Sequence, residues 1–132
     1  MHILISMLFG SAIAASVSFP TAAFADGDAV KGSKVFKKCA ACHTATEENN
    51  KIGPHLVGIV DRAVASIEGY KYSEAMIDHA TEVPVWTAKA LEDYLRAPRK
   101  VVKGTKMAFA GLKKDDDVEN IIAYLTDPSG AE

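Results

Sequence analysis

The sequence predicts an all-α domain of about four to five helices connected by long loops. Several segments place apolar residues at helical spacing, and none shows the apolar–polar alternation of a strand or an internal repeat. The 132 residues are enough for one domain. After removal of a leader, the remaining domain is small and its own apolar core is limited, so we expect a bound group to supplement that core.

The N-terminal segment is predicted to be an export signal. Ile3 to Val17 form an apolar stretch that is short for a membrane span, and Ala23-Phe24-Ala25 has the small-x-small form that precedes signal-peptidase cleavage. The chain start lacks the Lys or Arg that usually opens such a signal, which leaves an uncleaved anchor as the alternative. The favoured interpretation is a cleaved signal peptide over residues 1–25 and a soluble periplasmic domain over residues 26–132.

The first predicted helix runs from Asp28 to Lys38, with apolar residues on one side and lysines on the other. Gly32 lies inside it. A glycine in a helix interior costs about 1 kcal/mol relative to alanine, so its presence indicates close approach by another element.

The other predicted helices are delimited by capping residues and prolines. Ser and Thr side chains can accept a hydrogen bond from the first turn of a helix, and a helix usually ends before a proline. Acidic residues in the first turn suit the positive end of the helix dipole. These signals predict a short helix from Ser73 to about His79, a helix from Thr87 that ends before Pro98, and a last helix from Asp115 that stops at Pro128 and Gly130. The segments Thr44–Gly58 and Arg99–Leu112 are predicted to be loops.

The motif with the clearest chemistry is Cys39-Ala40-Ala41-Cys42-His43, the C-x-x-C-H pattern of c-type haem attachment. Two thiols one helical turn apart can each add to a vinyl group of one haem, and the next residue can then place its imidazole on the iron. A thioredoxin-like pair would need a βαβ context, a disulfide would close a very small loop, and zinc would need further ligands. The pattern therefore indicates one covalent haem c held by Cys39 and Cys42, with His43 as an iron ligand.

The second axial ligand decides whether such a haem transfers electrons or reacts with small molecules. The candidates are Met76, Met107, His55 and His79. Met76 lies in a predicted helix, where a methionine usually fills a core gap. Met107 lies in a loop rich in glycine and lysine, which favours it as the ligand.

These features together resemble the class I cytochromes c, the group of mitochondrial cytochrome c and its soluble bacterial counterparts. The similarity extends from about Asp28 to Leu125. It rests on the C-x-x-C-H segment from Val35 to His43 and on the stretches Gly53-Pro54-His55-Leu56-Val57-Gly58, Tyr70-Lys71-Tyr72, Trp86, Tyr94-Leu95, Gly104-Thr105-Lys106-Met107-Ala108-Phe109 and Ile121-Ile122-Ala123-Tyr124-Leu125.

The resemblance implies the class I cytochrome c fold and a role for each matching residue. His43 and Met107 would be the axial ligands, and the carbonyl of Pro54 would accept the second imidazole proton. The haem propionates would be held by Arg62, Tyr72, Ser73 and Trp86. Tyr94 would bond the sulfur of Met107, Thr105 would brace its loop, and Gly32 would meet Tyr124 where the first and last helices cross.

Three residues depart from the pattern of the family. Lys103 replaces the usual proline, which would loosen the loop that carries Met107. Met76 stands where an asparagine is frequent, and Asp61 stands where glycine is common. These changes affect the tuning of the site rather than its identity.

The function implied is that of an electron carrier, not an enzyme, and of a monomer that shuttles single electrons from a quinol-oxidising complex to a terminal oxidase. A dedicated acceptor for a periplasmic dehydrogenase is the alternative, and a small haem peroxidase is a more distant one. The net charge of −2 gives no indication of nucleic-acid binding. Membrane redox complexes would dock at a haem edge surrounded by Lys37, Lys38, Lys100, Lys106 and Lys113.

Overall fold

The computed structural model describes residues 27–131, and the predicted leader lies outside them. Within this range the helices are α1 (Ala29–Phe36), α2 (Glu74–Glu82), α3 (Ala88–Arg96), α4 (Pro98–Val101) and α5 (Asp115–Thr126), followed by a 3₁₀ helix, Pro128–Ala131. Residues 27–131 contain no β-strand beyond one isolated bridge between Ala63 and Val85. The all-α prediction is confirmed. No helix of this range has the length and apolarity needed to cross a membrane.

The crossing of α1 and α5 requires the glycine in α1. A Cβ atom built on Gly32 would lie 2.0 Å from the carbonyl oxygen of Asn120 and 2.6 Å from the Cβ of Tyr124. One turn further along α1, the ring of Phe36 packs on that of Tyr124, with 5.3 Å between their centroids. The close approach that the sequence predicted at Gly32 is therefore confirmed.

Side-chain caps start α2 and α3 where the sequence predicted. The Ser73 hydroxyl oxygen accepts a hydrogen bond from the backbone N–H of Met76, and that of Thr87 accepts one from Ala90, each at 3.1 Å. Both caps satisfy N–H groups that have no partner within the helix. The caps fix where the two helices leave the loops that flank the site.

Three predicted boundaries differ from the structure. The segment after Pro98 is not a loop throughout but opens with α4, because proline suits the first turn of a helix, where its missing N–H is not needed. The first helix ends at Phe36 rather than Lys38, and tight turns follow it. The helix α2 extends to Glu82, beyond the predicted end near His79. Each difference involves about one helical turn or less and leaves the order of the main elements unchanged.

The core lies between α3, α5 and the loop that follows α4. Its buried apolar residues include Leu91 and Tyr94 of α3, Val118, Ile121 and Leu125 of α5, Val102 and Leu112 of the connecting loop, and Trp86 before α3. Arg96 ties α3 to the start of α5, since its Nη1 lies 2.6 Å from Oδ1 of Asp115. One side of this core forms a wall of the cavity described next.

Candidate functional site: a cavity between the cysteine segment and the Met107 loop

A cavity of about 430 Å³ lies between the cysteine segment and the loop that carries Met107. Cavities of this size hold organic cofactors and other small ligands. Every candidate site residue lines it: Cys39, Cys42, His43, Pro54, Arg62, Tyr72, Ser73, Trp86, Tyr94, Thr105 and Met107. The fold thus brings to one place residues that are spread over most of the described chain.

The cysteine segment forms tight turns directly after α1. The backbone N–H of Cys39 donates to the carbonyl of Phe36 at 2.7 Å, and that of His43 donates to the carbonyl of Cys39 at 2.9 Å. The two cysteines form no disulfide. Burial raises the pKa of the Cys39 thiol, and the nearby Lys38 opposes this only in part. A protonated thiol is the form expected for a cysteine in such apolar surroundings.

His43 is held at one nitrogen and leaves the other available. Its Nδ1 lies 2.7 Å from the carbonyl oxygen of Pro54, so Nδ1 carries the proton and donates it. Burial lowers the pKa of His43, although the bond to Pro54 opposes this, and the charge of Lys51 lowers it further. The ring is therefore favoured in its neutral form, with the lone pair of Nε2 ready to bind a metal.

Gly53 constrains this ring, a role that was not predicted from the sequence. A Cβ atom at Gly53 would lie 2.3 Å from Cε1 of His43. The glycine therefore allows the backbone to run along the imidazole. Its position immediately before Pro54 was the available signal.

Met107 lies in a loop braced by hydroxyl groups. The backbone N–H of Met107 donates to Oγ1 of Thr105 at 3.2 Å, and the same Oγ1 lies 3.0 Å from the hydroxyl of Tyr94. In this structure the Tyr94 hydroxyl bonds Thr105, and the bond to the sulfur of Met107 that the resemblance implied stays a prediction. The buried Tyr94 hydroxyl finds its nearest partner on the loop, and burial raises its pKa. Next to Thr105, Gly104 has a positive φ of 93° and faces Ala75 of α2.

Arg62 provides a positive charge on the polar wall of the cavity. Its Nη1 donates to the carbonyl of Val57 at 2.8 Å and its Nη2 to that of His55 at 3.1 Å. The backbone of Arg62 is paired with that of Trp86, whose N–H lies 2.8 Å from the Arg62 carbonyl. Burial lowers the pKa of Arg62, but a guanidinium remains charged in proteins.

Tyr72 and Ser73 complete the polar wall. The Tyr72 hydroxyl accepts a hydrogen bond from the backbone N–H of Ile67 at 3.2 Å, and its ring packs edge-on against Tyr70, with centroids 4.8 Å apart. The Ser73 oxygen is used to cap α2, so its hydroxyl proton remains available to another acceptor. The indole of Trp86 is buried against Tyr94, with 5.1 Å between the ring centroids.

The residues present fit a covalent haem. Nε of Arg62 is buried and has no hydrogen-bond partner in the structure, and a propionate carboxylate is the type of acceptor that it lacks. The two thiols and the free nitrogen of His43 line the same cavity. Of the four candidates for a second iron ligand, Met107 and Met76 line this cavity and His55 and His79 do not. His79 instead packs against Trp86, with 5.7 Å between the ring centroids.

Comparison with known proteins gives a consistent result. The family model for cytochrome c matches residues 29–127. The chain is 46% identical to cytochrome c2 of Agrobacterium tumefaciens, over 76% of this chain and 91% of that protein. It is 47% identical to cytochrome c of Stellaria longipes, over 79% of this chain and 95% of that protein.

A solved structure shares the fold. Cytochrome cH from Methylobacterium extorquens superposes with a TM-score of 0.68 at 38% identity, over 75% of this chain and 97% of that one. The family-model match over residues 29–127 includes every residue that lines the cavity and all five α-helices. The chain therefore belongs to the cytochrome c family, whose members are electron-transfer proteins rather than enzymes and carry a covalent haem.

Proposed function

We propose that the chain is an exported, single-haem electron carrier in which Cys39 and Cys42 hold the haem by thioether bonds and His43 and Met107 bind its iron. The observation that supports this proposal is that all four residues line one cavity, with His43 held at Nδ1 by Pro54. When bound, the haem supplies the one-electron redox centre. The polypeptide determines its potential, its access to solvent and the surface that partners meet.

The residues of the cavity favour the reduced state. A thioether ligand and an apolar surrounding both disfavour the additional positive charge of the oxidised state and so raise the reduction potential. Apolar residues such as Leu91, Ile121 and Leu125 line the cavity and are buried. We therefore expect a distinctly positive potential, suited to accepting electrons from a quinol-oxidising complex and passing them to a terminal oxidase.

We also propose that the carrier works in the periplasm. Residues 1–25 would be the cleaved export signal, and residues 26–132 would form the cytochrome domain. C-type haem attachment to reduced thiols outside the cytoplasm agrees with this location. A periplasmic fraction that contains the haem-stained protein with Asp26 as its first residue would support the proposal, and an intact N-terminus in the membrane fraction would contradict it.

The surface around the cavity would dock redox partners. Lys37, Lys38, Lys100, Lys106 and Lys113 are all exposed. Lys38 and Lys106 line the cavity, but Lys38 is also paired with Asp117 of α5 at 3.3 Å. Lys106 has no ion-pair partner within residues 27–131, so its charge is available to a partner protein.

The ligand assignment can be tested with two methionine variants of the haem-loaded protein. The oxidised wild type should show the weak long-wavelength band of a sulfur–iron bond. Met107→Ala should abolish this band and open the site to carbon monoxide in the reduced state. Met76→Ala, which removes the other thioether that lines the cavity, should keep the band. Loss of the band in Met76→Ala alone would show that the wrong methionine was assigned, and absence of covalent haem would overturn the proposed function itself.

A further inference from the structure

A second cavity lies beside the first and shares a wall with it. It is polar and has a volume of about 430 Å³, and Arg62 lines both cavities. Its other lining residues are Glu48, Asn50, His55, Val57, Ser66, Ile67 and Glu68. The second cavity thus has a histidine and two glutamates in its lining, and Arg62 is the residue that it shares with the first cavity.

His55 is the unusual group in this cavity. The residue is only 9% exposed, and its Nδ1 is buried without a hydrogen-bond partner in the structure. Few buried polar atoms in folded proteins lack a partner, and those that do call for a functional or structural reason. The electron-transfer site described above makes no use of the His55 side chain.

The backbone of His55 is fixed on both sides. Its N–H donates to Oδ1 of Asn50 at 3.0 Å, and its carbonyl accepts from Nη2 of Arg62 at 3.1 Å. The backbone of His55 is thereby held at the guanidinium of Arg62, and both residues line the second cavity. A change of charge near Arg62 is therefore felt close to His55.

The second cavity brings charges of both signs to the lining that contains His55. Glu48 and Glu68 contribute carboxylates, and Arg62 contributes a guanidinium. Tyr72 lines the first cavity together with Arg62. Because a nearby positive charge disfavours the protonated form of an imidazole, one positive charge added in the first cavity opposes the binding of a proton to His55.

We propose that His55 is a proton-binding site linked to electron transfer, so that it binds a proton more tightly in the reduced protein than in the oxidised protein. This inference rests on the proposed function. When the reduced protein passes one electron to an oxidised partner, the partner is reduced and the first cavity gains one positive charge. The N–H bond of the His55 imidazolium then breaks, and the proton passes to water through the second cavity. On reduction the electron returns and the proton is taken up again.

The size of the linkage follows from electrostatics. Charges that interact across the interior of a protein are screened much less than charges in water. We expect the proton affinity of His55 to differ on the order of threefold to tenfold between the two redox states. At 59 mV for each tenfold change, this corresponds to a total fall in potential of about 28 to 59 mV as His55 loses its proton.

The test is a spectroelectrochemical titration of the haem-loaded protein at a series of pH values around 6.5, where an ordinary histidine titrates. The wild-type potential should fall as the pH rises, and His55→Asn should flatten this dependence. His79→Asn serves as the matched control, because it removes the other described histidine that is not assigned to the iron, and it should retain the wild-type slope. A slope that survives in His55→Asn, or that disappears in His79→Asn instead, would overturn the inference.

A second measurement follows the protonation of the His55 imidazole directly. The ring C–H signals of His55, assigned by their loss in His55→Asn, can be followed by NMR against pH in the fully reduced and the fully oxidised protein. The two titrations should be displaced from each other, and coincident titrations would contradict the linkage even if His55→Asn proves difficult to fold. A protein with the sulfur–iron band and a pH-independent potential would refute this inference alone, whereas a protein without that band would refute the ligand assignment.

Discussion

Among single residues, Gly53 has the most direct influence on the histidine that would bind iron. A Cβ atom at this position would overlap the imidazole of His43, only 2.3 Å from Cε1. Gly53→Ala should push the ring away from Pro54 and weaken a bond that orients the imidazole. We expect the free energy of unfolding to fall by about 1–3 kcal/mol, the usual cost of overpacking. The haem-loaded variant should also show a smaller low-spin fraction in its absorption spectrum.

Gly58→Ala is the matched control for this prediction. Gly58 has a φ of 62°, and a Cβ atom there would meet nothing within 4 Å. The alanine should therefore cost about 1–2 kcal/mol through its left-handed backbone alone and leave the spectrum unchanged. Equal spectra for the two alanine variants would show that Gly53 does not position the ring.

A second single-residue prediction concerns Asp61, where relatives were expected to carry glycine. Its φ is 64°, in the left-handed region that glycine adopts most readily. Asp61→Gly should raise the free energy of unfolding by up to about 1 kcal/mol, because aspartate tolerates this conformation less well than glycine does. Ala63→Gly, at a nearby position with an ordinary negative φ, should instead lower it by about 0.5–1 kcal/mol. Chemical denaturation of the haem-loaded protein measures both changes.

Among the helices, the crossing of α1 and α5 depends on Gly32. An alanine would gain about 1 kcal/mol of helix propensity, but its Cβ would lie 2.0 Å from the carbonyl of Asn120. Because that neighbour is backbone and cannot rotate away, the steric cost should exceed the gain, and Gly32→Ala should lower the free energy of unfolding by about 2–3 kcal/mol. Lys34→Ala, at an exposed position of the same helix, should change it by less than about 0.5 kcal/mol. A Gly32→Ala variant as stable as the wild type would mean that the helices can separate at little cost.

The starts of the helices were easier to predict than the rest of the fold. Ser73 and Thr87 were recognised as caps because a side-chain cap is a local interaction between residues three apart. The short helix after Pro98 was missed, since proline is equally compatible with the end of one helix and the start of the next. The distinction depends on how the chain packs, which local sequence does not contain.

The candidate site shows the same division between local and tertiary information. The haem attachment motif with Cys39, Cys42 and His43 could be predicted from the sequence, because its residues are close together in the chain and their spacing is set by the attachment chemistry. The hydrogen bond between Tyr94 and Thr105 was not predicted, because it depends on the path of a loop that is distant from α3 in local sequence. The unpartnered nitrogen of His55 could not be foreseen either, since burial without a partner is a property of the folded chain.

For the molecule as a whole, the distribution of charge should govern how fast it meets its partners. A net charge of −2 would not by itself attract an acidic partner, so attraction must come from lysines placed around the cavity. Lys106→Gln should therefore slow association with a solubilised terminal oxidase severalfold at low ionic strength. The difference from the wild type should shrink above about 0.1 M salt, where the screening length falls to about 10 Å.

A second lysine variant separates the effect of where a charge lies from the effect of net charge on the association rate. Lys89→Gln removes the same single charge from α3, where Lys89 is exposed and paired with Asp93 away from the residues that line the cavity. If docking occurs at the cavity, only Lys106→Gln should change the rate and its salt dependence, as followed by stopped-flow oxidation of the reduced protein. Equal effects of the two variants would show that net charge alone steers the encounter, because a local docking surface must distinguish a lysine at its centre from one outside it.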